Sequence, residues 1–264
     1  MKRYAATMVL ILFLGGALFA GVEWESKMTM SGEKMKPSVV TMRLYAQGGN
    51  VRQDFVSVEG KNPAFVPGTY WIFNVKDGGT MIWVNPKEKT YSELPMGPMM
   101  QMVGAVGKLM KISIDNPELK LENLPSESVL GIPCQHYRMV MDYDMQVKIA
   151  FIKDKSHQRQ EKEVWAAPLK GWSDVGEAFR HKDLKTGFDE LDALIEKQVK
   201  AEAGKGFPLK MVMVTTAEKK GKVREASRMT QEVTAFAAKT IPASMFEVPA
   251  GFTKTASGLP GTEE

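Results

Sequence analysis

One cysteine, Cys134, is all that the 264 residues contain. A lone thiol closes no internal disulfide, so the chain is not a disulfide-stapled extracellular module and must be held together by burial. Histidine is nearly as scarce, and His136, His157 and His181 are widely spaced. Zinc wants three or four ligands. Only Cys134 and His136, two residues apart on one strand face, begin such a set, so they read as a packed thiol beside a surface histidine. No metal and no cofactor are expected. Charge of one sign is also lacking in excess: 35 Lys and Arg stand against 31 Asp and Glu. A nucleic-acid binder carries a larger and more clustered surplus, and Lys219, Lys220 and Lys222 read as a solubilising turn. The longest apolar run near the start, Ala5 to Leu14, is about half the roughly 20 residues of a membrane helix.

Catalytic constellations are missing as well. Gly171-Trp172-Ser173-Asp174-Val175-Gly176 only superficially resembles a nucleophile elbow, which needs Gly where Val175 stands. Ser173 is better placed as a helix cap. Gly48-Gly49 and Gly78-Gly79 lie between strands, not at the strand-to-helix turn a phosphate loop requires. Asp142 and Asp144 flank Tyr143 near an expected hairpin end, as a solvated turn. With no acid, base and nucleophile to assemble, the chain does not read as an enzyme.

What is present begins with Met1-Lys2-Arg3, the apolar Ala5 to Leu14, and small residues ending at Ala20. That is the layout of a cleavable secretory signal over residues 1–20, and it predicts a periplasmic location with no membrane span after cleavage. Without Lys2 and Arg3 the basic excess falls to two. Methionine is abundant at 19 residues, two of them in the signal. Its flexible thioether suits cores and adaptable apolar surfaces, and it is also a soft ligand for Cu(I).

Strand signals dominate the rest. Val22, Trp24, Met28 and Met30 alternate with Glu23, Glu25, Lys27 and Thr29, and Val40, Met42, Leu44 and Ala46 alternate with Thr41, Arg43 and Tyr45. Period two with one apolar face is a half-buried antiparallel strand. Short turns at Gly48-Gly49-Asn50, Asp77-Gly78-Gly79 and Asn85 to Glu88 predict a meander. Ser126 to Tyr143 reads as one long strand bent at Gly131 to Cys134, with Met145 to Ile152 as its partner. Lys153 to Glu163 reads as an exposed charged turn, Glu163 to Ala166 as a short strand, and Leu209 to Thr216 with Lys222 to Phe236 as a hairpin. Two helical stretches interrupt: Met96 to Lys111, apolar around most of its circumference, and Gly171 to Gly204. The latter's second helix has Thr186 as its cap, Phe188, Leu191, Ile195 and Val199 as its stripe, and Lys197 and Lys200 near its end. Ile241 to Phe246 reads as a short helical turn. The expectation is one domain over 21–254 with a helical insert at about 171–204 and a disordered tail at 255–264.

The closing stretch Ile241-Pro242-Ala243-Ser244-Met245-Phe246-Glu247-Val248-Pro249-Ala250-Gly251-Phe252 resembles an uncharacterised bacterial envelope family. So do Ile82 to Tyr91, Gly131 to Tyr137 and Glu163-Val164-Trp165. That family, a domain of unknown function, belongs to the LolA/LolB-like lipoprotein-carrier superfamily. The resemblance implies an α+β fold, mainly antiparallel β, in which an incomplete curved barrel wraps over helices and holds lipid or lipoprotein acyl chains. It implies no catalytic residues. In the carriers an arginine on an early strand acts in cargo release, and Arg43 and Arg52 lie in that region.

Combining pattern and resemblance, the expected apolar groove is lined by Trp24, Met28, Met30, Trp83, Met99, Met102, Met139, Met141, Met211 and Met213. The helix Met96 to Lys111 would be its lid. Two other functions fit the composition. One is a self-filled core whose outer face meets an envelope protein partner. The other is a Cu(I)-binding envelope protein built on Met28, Met30 and Met35.

Overall fold

A computed structural model describes residues 21–33, 35–60, 62, 64–74, 79–97, 105, 112–149, 152–169 and 188–255. The expected signal at 1–20, most of the helix Met96 to Lys111 with Met99 and Met102, and the tail beyond 255 lie outside the described residues. So does the first part of the insert, with His181, Ser173 and Thr186.

The chain opens as a meander: β1 (Gly21–Gly32), β2 (Met35–Gln47), β3 (Asn50–Glu59), β4 (Tyr70–Asn74), β5 (Thr80–Asn85) and β6 (Thr90–Pro95). It continues with β7 (Ser113–Val129), β8 (Ile132–Ile149) and β9 (Ile152–Ala167). Helix α1 (Asp189–Glu202) precedes β10 (Phe207–Lys219) and β11 (Lys222–Ala238), and a 3-10 turn (Ala243–Phe246) leads to β12 (Thr253–Lys254). All twelve strands join one sheet in the order β12-β6-β5-β4-β3-β2-β1-β11-β10-β9-β8-β7. Only the short β12–β6 pair is parallel. The sheet is not closed: β7 and β12 end it on opposite sides. The architecture is an incomplete, curved antiparallel barrel with a helix against it.

Alternation decides the faces. In β1 and β2 the even-numbered residues Val22, Trp24, Met28, Val40, Met42, Leu44 and Ala46 are buried and join one large cluster. Arg43 and Lys27 on the odd face are exposed. Val51 and Phe55 of β3 extend the cluster, and Phe55 meets Phe65 and Trp71 at ring distances of 5.2 and 5.0 Å. On the opposite face of β4–β6, Tyr70, Ile72 and Val84 are covered by Phe246, Val248 and Phe252 of the C-terminal segment. The characteristic closing motif is thus a cover for one sheet corner. Arg52 helps to hold it there: oriented by Asp54 and stacked 3.6 Å over the Tyr70 ring, it donates to the Met245 carbonyl at 3.4 Å.

Three expectations fail in β7–β9, one being the partner strand at Met145 to Ile152: Met145 continues β8 and pairs with Ile114 and Ser156. Ser126 to Tyr143 is not a single bent strand. Leu130 and Gly131 both take positive φ, 55° and 72°, and this tight turn matches the right-handed twist of the strands it joins. It separates β7 from β8. Likewise Lys153 to Glu163 is not a turn but the body of β9. Its charged side chains are tolerated because neighbours neutralise them, as Asp142 on β8 does for Arg159 at 3.1 Å and Glu202 at the end of the following helix does for Lys162 at 2.6 Å. Asp142 and Asp144 consequently lie within β8 and not at a hairpin end. Polarity on both faces removed the apolar alternation by which strands are recognised.

Helix α1 starts at Asp189 with Asp189, Glu190 and Asp192 in its first turn and Lys200 in its last, the arrangement that opposes the helix dipole. Its buried centre is Leu194, flanked by half-buried Leu191, Ile195 and Val199. After the helix, Gly206 takes φ 100°, and a Cβ there would lie 2.3 Å from the Ala167 carbonyl oxygen. Only glycine fits where the chain crosses back to β9.

Replacing Leu44, 4 % exposed in the main cluster, by alanine is expected to cost about 3 kcal/mol in a urea unfolding transition. Val223→Ala, at 66 % exposure, should cost less than about 0.5 kcal/mol.

Candidate functional site

Directly opposed residues on neighbouring strands share a face of the sheet. Following the register from β7 to β2 gives the row Leu121, Met139, Lys162, Met213, Met229, Met30 and Ser38. The next row reads Asn123, Tyr137, Val164, Met211, Gln231, Met28 and Val40. Met141 stands between Leu119 and Gln160 one row further out. On the same face of β1, Trp24 heads a row that runs through Leu44, Gln53 and Trp71 to Trp83. Every expected groove residue that the structure describes, Trp24, Met28, Met30, Trp83, Met139, Met141, Met211 and Met213, therefore lies on one face.

Burial grades across this face. Trp24 and Met139 are 3 % and 1 % exposed, and Met28 is 9 % exposed. Met30, Trp83, Met141, Met211 and Met213 are half-buried. Helix α1 covers the β7–β9 side, where Ala201 packs against the cluster of Tyr137, Met139, Val164 and Ala166. Two polar ties fasten it: Lys162 to Glu202 at 2.6 Å and Lys205 to Asn123 at 3.0 Å. Burial and the nearby Glu202 carboxylate push the Tyr137 phenol well above its ordinary pKa, burial being the larger cause. Lys162 is the one charged member of the methionine row, and its ion pair with the helix removes the cost of an uncompensated cation there.

Sequence reasoning missed Met229 and Trp71. Each was recoverable from its hairpin, because Met229 faces Met213 across the Lys220-Gly221 turn and Trp71 faces Trp83 across the β4–β5 turn. Among the described residues, four buried side-chain polar atoms on this same face have no hydrogen-bond partner: the Ser26 and Ser38 hydroxyls and the indole nitrogens of Trp71 and Trp83. An unmade bond of this kind costs about 1–3 kcal/mol. Met35, expected as a third copper ligand, sits beyond Met28 and Met30 at the exposed β1–β2 end, opposite Gly32. Neither arginine weighed for cargo release reaches the methionine face. Arg43 pairs with Glu25 at 3.0 Å on the opposite face, and Arg52, next to the face residue Gln53, points away to Tyr70.

On the reverse of β8 and β9, Cys134 is 2 % exposed and its thiol donates to the Ile132 carbonyl. His136 is not a surface residue. It is 7 % exposed, stacks on Trp165 at 4.3 Å and meets Glu163 at 2.7 Å. The Trp165 indole donates to Glu127 at 2.8 Å. Two carboxylates thus satisfy a buried His–Trp stack, and the spacing Cys134–His136 places a packing pair. Among the described residues no group of three or more His, Cys, Asp or Glu could hold one metal ion. No helix among them is long and apolar enough to cross a membrane.

At the far end of β7–β10 an open cleft of about 500 Å³ is lined by Asp115, Asn116, Asp144, Lys155, His157 and Glu218. His157 meets Asp144 at 3.0 Å, and Asn116 donates to the same carboxylate at 3.1 Å. The hydrogen bond to Asp144 raises the His157 pKa above its ordinary 6.5, and the same bond lowers that of Asp144. The pair stabilises the cleft while both partners are charged. Its contribution fades as pH rises through the raised His157 pKa and as pH falls through the lowered Asp144 pKa. In an NMR titration the His157 ring should show a midpoint above 6.5, and Asp144→Asn should bring it down. An unchanged midpoint in that variant would contradict the assignment.

A family model matches residues 23–252. No curated protein matches the chain. Among solved structures, an uncharacterized conserved protein from Thermus thermophilus is similar at 11 % identity and a TM-score of 0.38, over 90 % of this chain and 91 % of that one. A LolA superfamily protein from Nitrosomonas europaea is similar at 8 % identity and a TM-score of 0.35, over 87 % and 91 %. Through the match that spans nearly all of the described sheet, the chain belongs to the family described as Domain of unknown function (DUF4412).

Proposed function

We propose that the protein is a periplasmic, non-enzymatic binding protein that holds a lipid or another apolar ligand against its methionine face. The observation that carries this reading is the shared face of Met28, Met30, Met139, Met141, Met211, Met213 and Met229, most of them only half-buried on an unclosed sheet. Methionine adapts its shape to an irregular or variable guest at little strain, and a partly exposed apolar face of this breadth marks a binding surface. The signal-like residues 1–20 support export, and the sequence resemblance to lipoprotein carriers supports acyl chains as cargo. Affinity needs no polar chemistry, since each buried methylene contributes about 0.8 kcal/mol.

The self-covered alternative has one observation in its favour: α1 already occupies the β7–β9 side. The cargo therefore lies along β10, β11 and β1, over Met211, Met213, Met229 and Met30, beside the helix and not beneath it.

Titration of the protein with saturated fatty acids from octanoate to palmitate should give affinities that rise up to about fourfold per methylene. The double variant Met211→Gln, Met213→Gln should weaken palmitate about tenfold, the loss expected for about 1.4 kcal/mol of apolar contact. Affinity that ignores chain length would contradict the proposal.

A further inference from the structure

We propose that β7 is the seam of a symmetric dimer, in which its free edge pairs antiparallel with β7 of a second copy of this chain. This pairing does not depend on any cargo. Among the described residues β7 pairs only with β8, and it ends the sheet. The strand at the other end, β12, is two residues long and offers little to pair with. Edges are usually blunted by proline, bulges or inward charge, and β7 carries such devices only towards its ends. Register shifts fall between Asp115 and Glu118, which enclose Pro117, and between Leu124 and Glu127, which enclose Pro125. The run between them, Glu118 to Leu124, pairs regularly with Asp142 to His136 of β8. Lys120, Leu121, Glu122 and Asn123 are exposed in succession, on both faces. Leu121 is 40 % exposed although it stands directly beside Met139, which is 1 % exposed.

The run itself selects one register. Opposed residues of an antiparallel pair turn their backbone groups the same way relative to each other, so a two-fold pairing centres on a residue and not between two. Leu121 lies midway between Pro117 and Pro125. Centred there, the pairing sets Leu121 against Leu121, and Lys120 against Glu122 once on each side of the axis. Leu119 then meets Asn123, and Glu118 meets Leu124. A centre at Lys120 opposes lysine with lysine and Glu118 with Glu122, and a centre at Glu122 opposes glutamate with glutamate. Centres at Leu119 or Asn123 run into the prolines. Opposite charges facing across a pair stabilise it and like charges destabilise it, so Leu121 is the centre that charge and length both favour. Leu121 is on the methionine face, and Lys120 and Glu122 are on the reverse. The two-fold axis therefore stands perpendicular to the sheet, and the row that starts at Leu121 and Met139 continues into the same row of the second copy. Glu118 to Leu124 gives a seam of about 24 Å, short for a permanent dimer, so association follows concentration.

Sedimentation of the full chain over a concentration series should show a monomer–dimer equilibrium. Lys120→Glu and Glu122→Lys each place like charges opposite one another on both sides of the axis, and each should weaken dimerisation about tenfold. Both side chains are exposed, so circular dichroism should show both variants folded. An equimolar mixture of the two variants should recover the dimer, because every contact at these positions then joins opposite charges again. Leu121→Cys should give a disulfide-linked dimer under mild oxidation, since opposed Cα atoms lie about 4.5–5.5 Å apart, and Glu118→Cys should not. Cys134, 2 % exposed, does not compete. A monomer at every concentration would overturn the proposal. So would a dimer that neither charge variant weakens, a mixture that associates no better than either variant alone, or cross-linking no faster at Leu121 than at Glu118.

Discussion

The register between β8, β9, β10, β11 and β1 is the constraint on which the rest depends. It sets Met139, Lys162, Met213, Met229 and Met30 side by side, although they come from opposite ends and the middle of the chain. A slip of one residue in any of these pairings would turn a whole strand over and scatter the row across both faces. The register is pinned by burial at its ends. Val22 to Met28 bury one face of β1, while Val164, Trp165, Ala166 and Ala167 are buried in succession on β9 and so are covered on both sides. Tight turns at Leu130-Gly131 and Lys220-Gly221 hold the hairpins.

From this frame the energetics divide into a closed part and an open part. Around Trp24, Leu44, Phe55 and Phe207 the sheet packs on itself, with the Trp24 and Phe207 rings edge to face at 5.3 Å. The C-terminal segment seals the far side of β4–β6, and Arg52 ties it down by donating to the Met245 carbonyl. Helix α1 seals the near side of β7–β9 through Ala201, Lys162 and Glu202. Between these seals lie the half-buried methionines. The same division places the polar clusters: His136 and Trp165 are satisfied by Glu163 and Glu127 on the reverse face, and the His157–Asp144 pair stands at the open cleft. Within β8 and β9 both sit on the side opposite Met139 and Met141, and Trp165 there joins the main cluster around Trp24 and Phe207.

Much of this was legible in the sequence because alternation survives where one face is buried. The even positions of β1 and β2, the hairpin of β10 and β11 and the short turns of the meander all announced themselves. So did eight of the face residues, from Trp24 to Met213. The body of β9 did not, because Lys153 to Glu163 is polar on both faces and its strand character comes from partners on β8 and β10. The split between β7 and β8 was hidden by Leu130, a bulky residue that adopts positive φ only in the context of the turn. His136 looked exposed because its partners Glu163 and Trp165 are distant in sequence. Met229 and Trp71 were lost for a different reason. Each belongs to the site only through the residue opposite it, and periodicity within one strand cannot report pairing between two.

The most direct measurement is an NMR map of methionine methyl groups labelled with carbon-13, before and after addition of a long-chain fatty acid. The account predicts shifts concentrated on Met30, Met211, Met213 and Met229, smaller ones on Met139 under the helix, and none on Met42, which is sealed in the closed part of the sheet. Shifts spread evenly over all of these methyls, or absent from the first four, would contradict it.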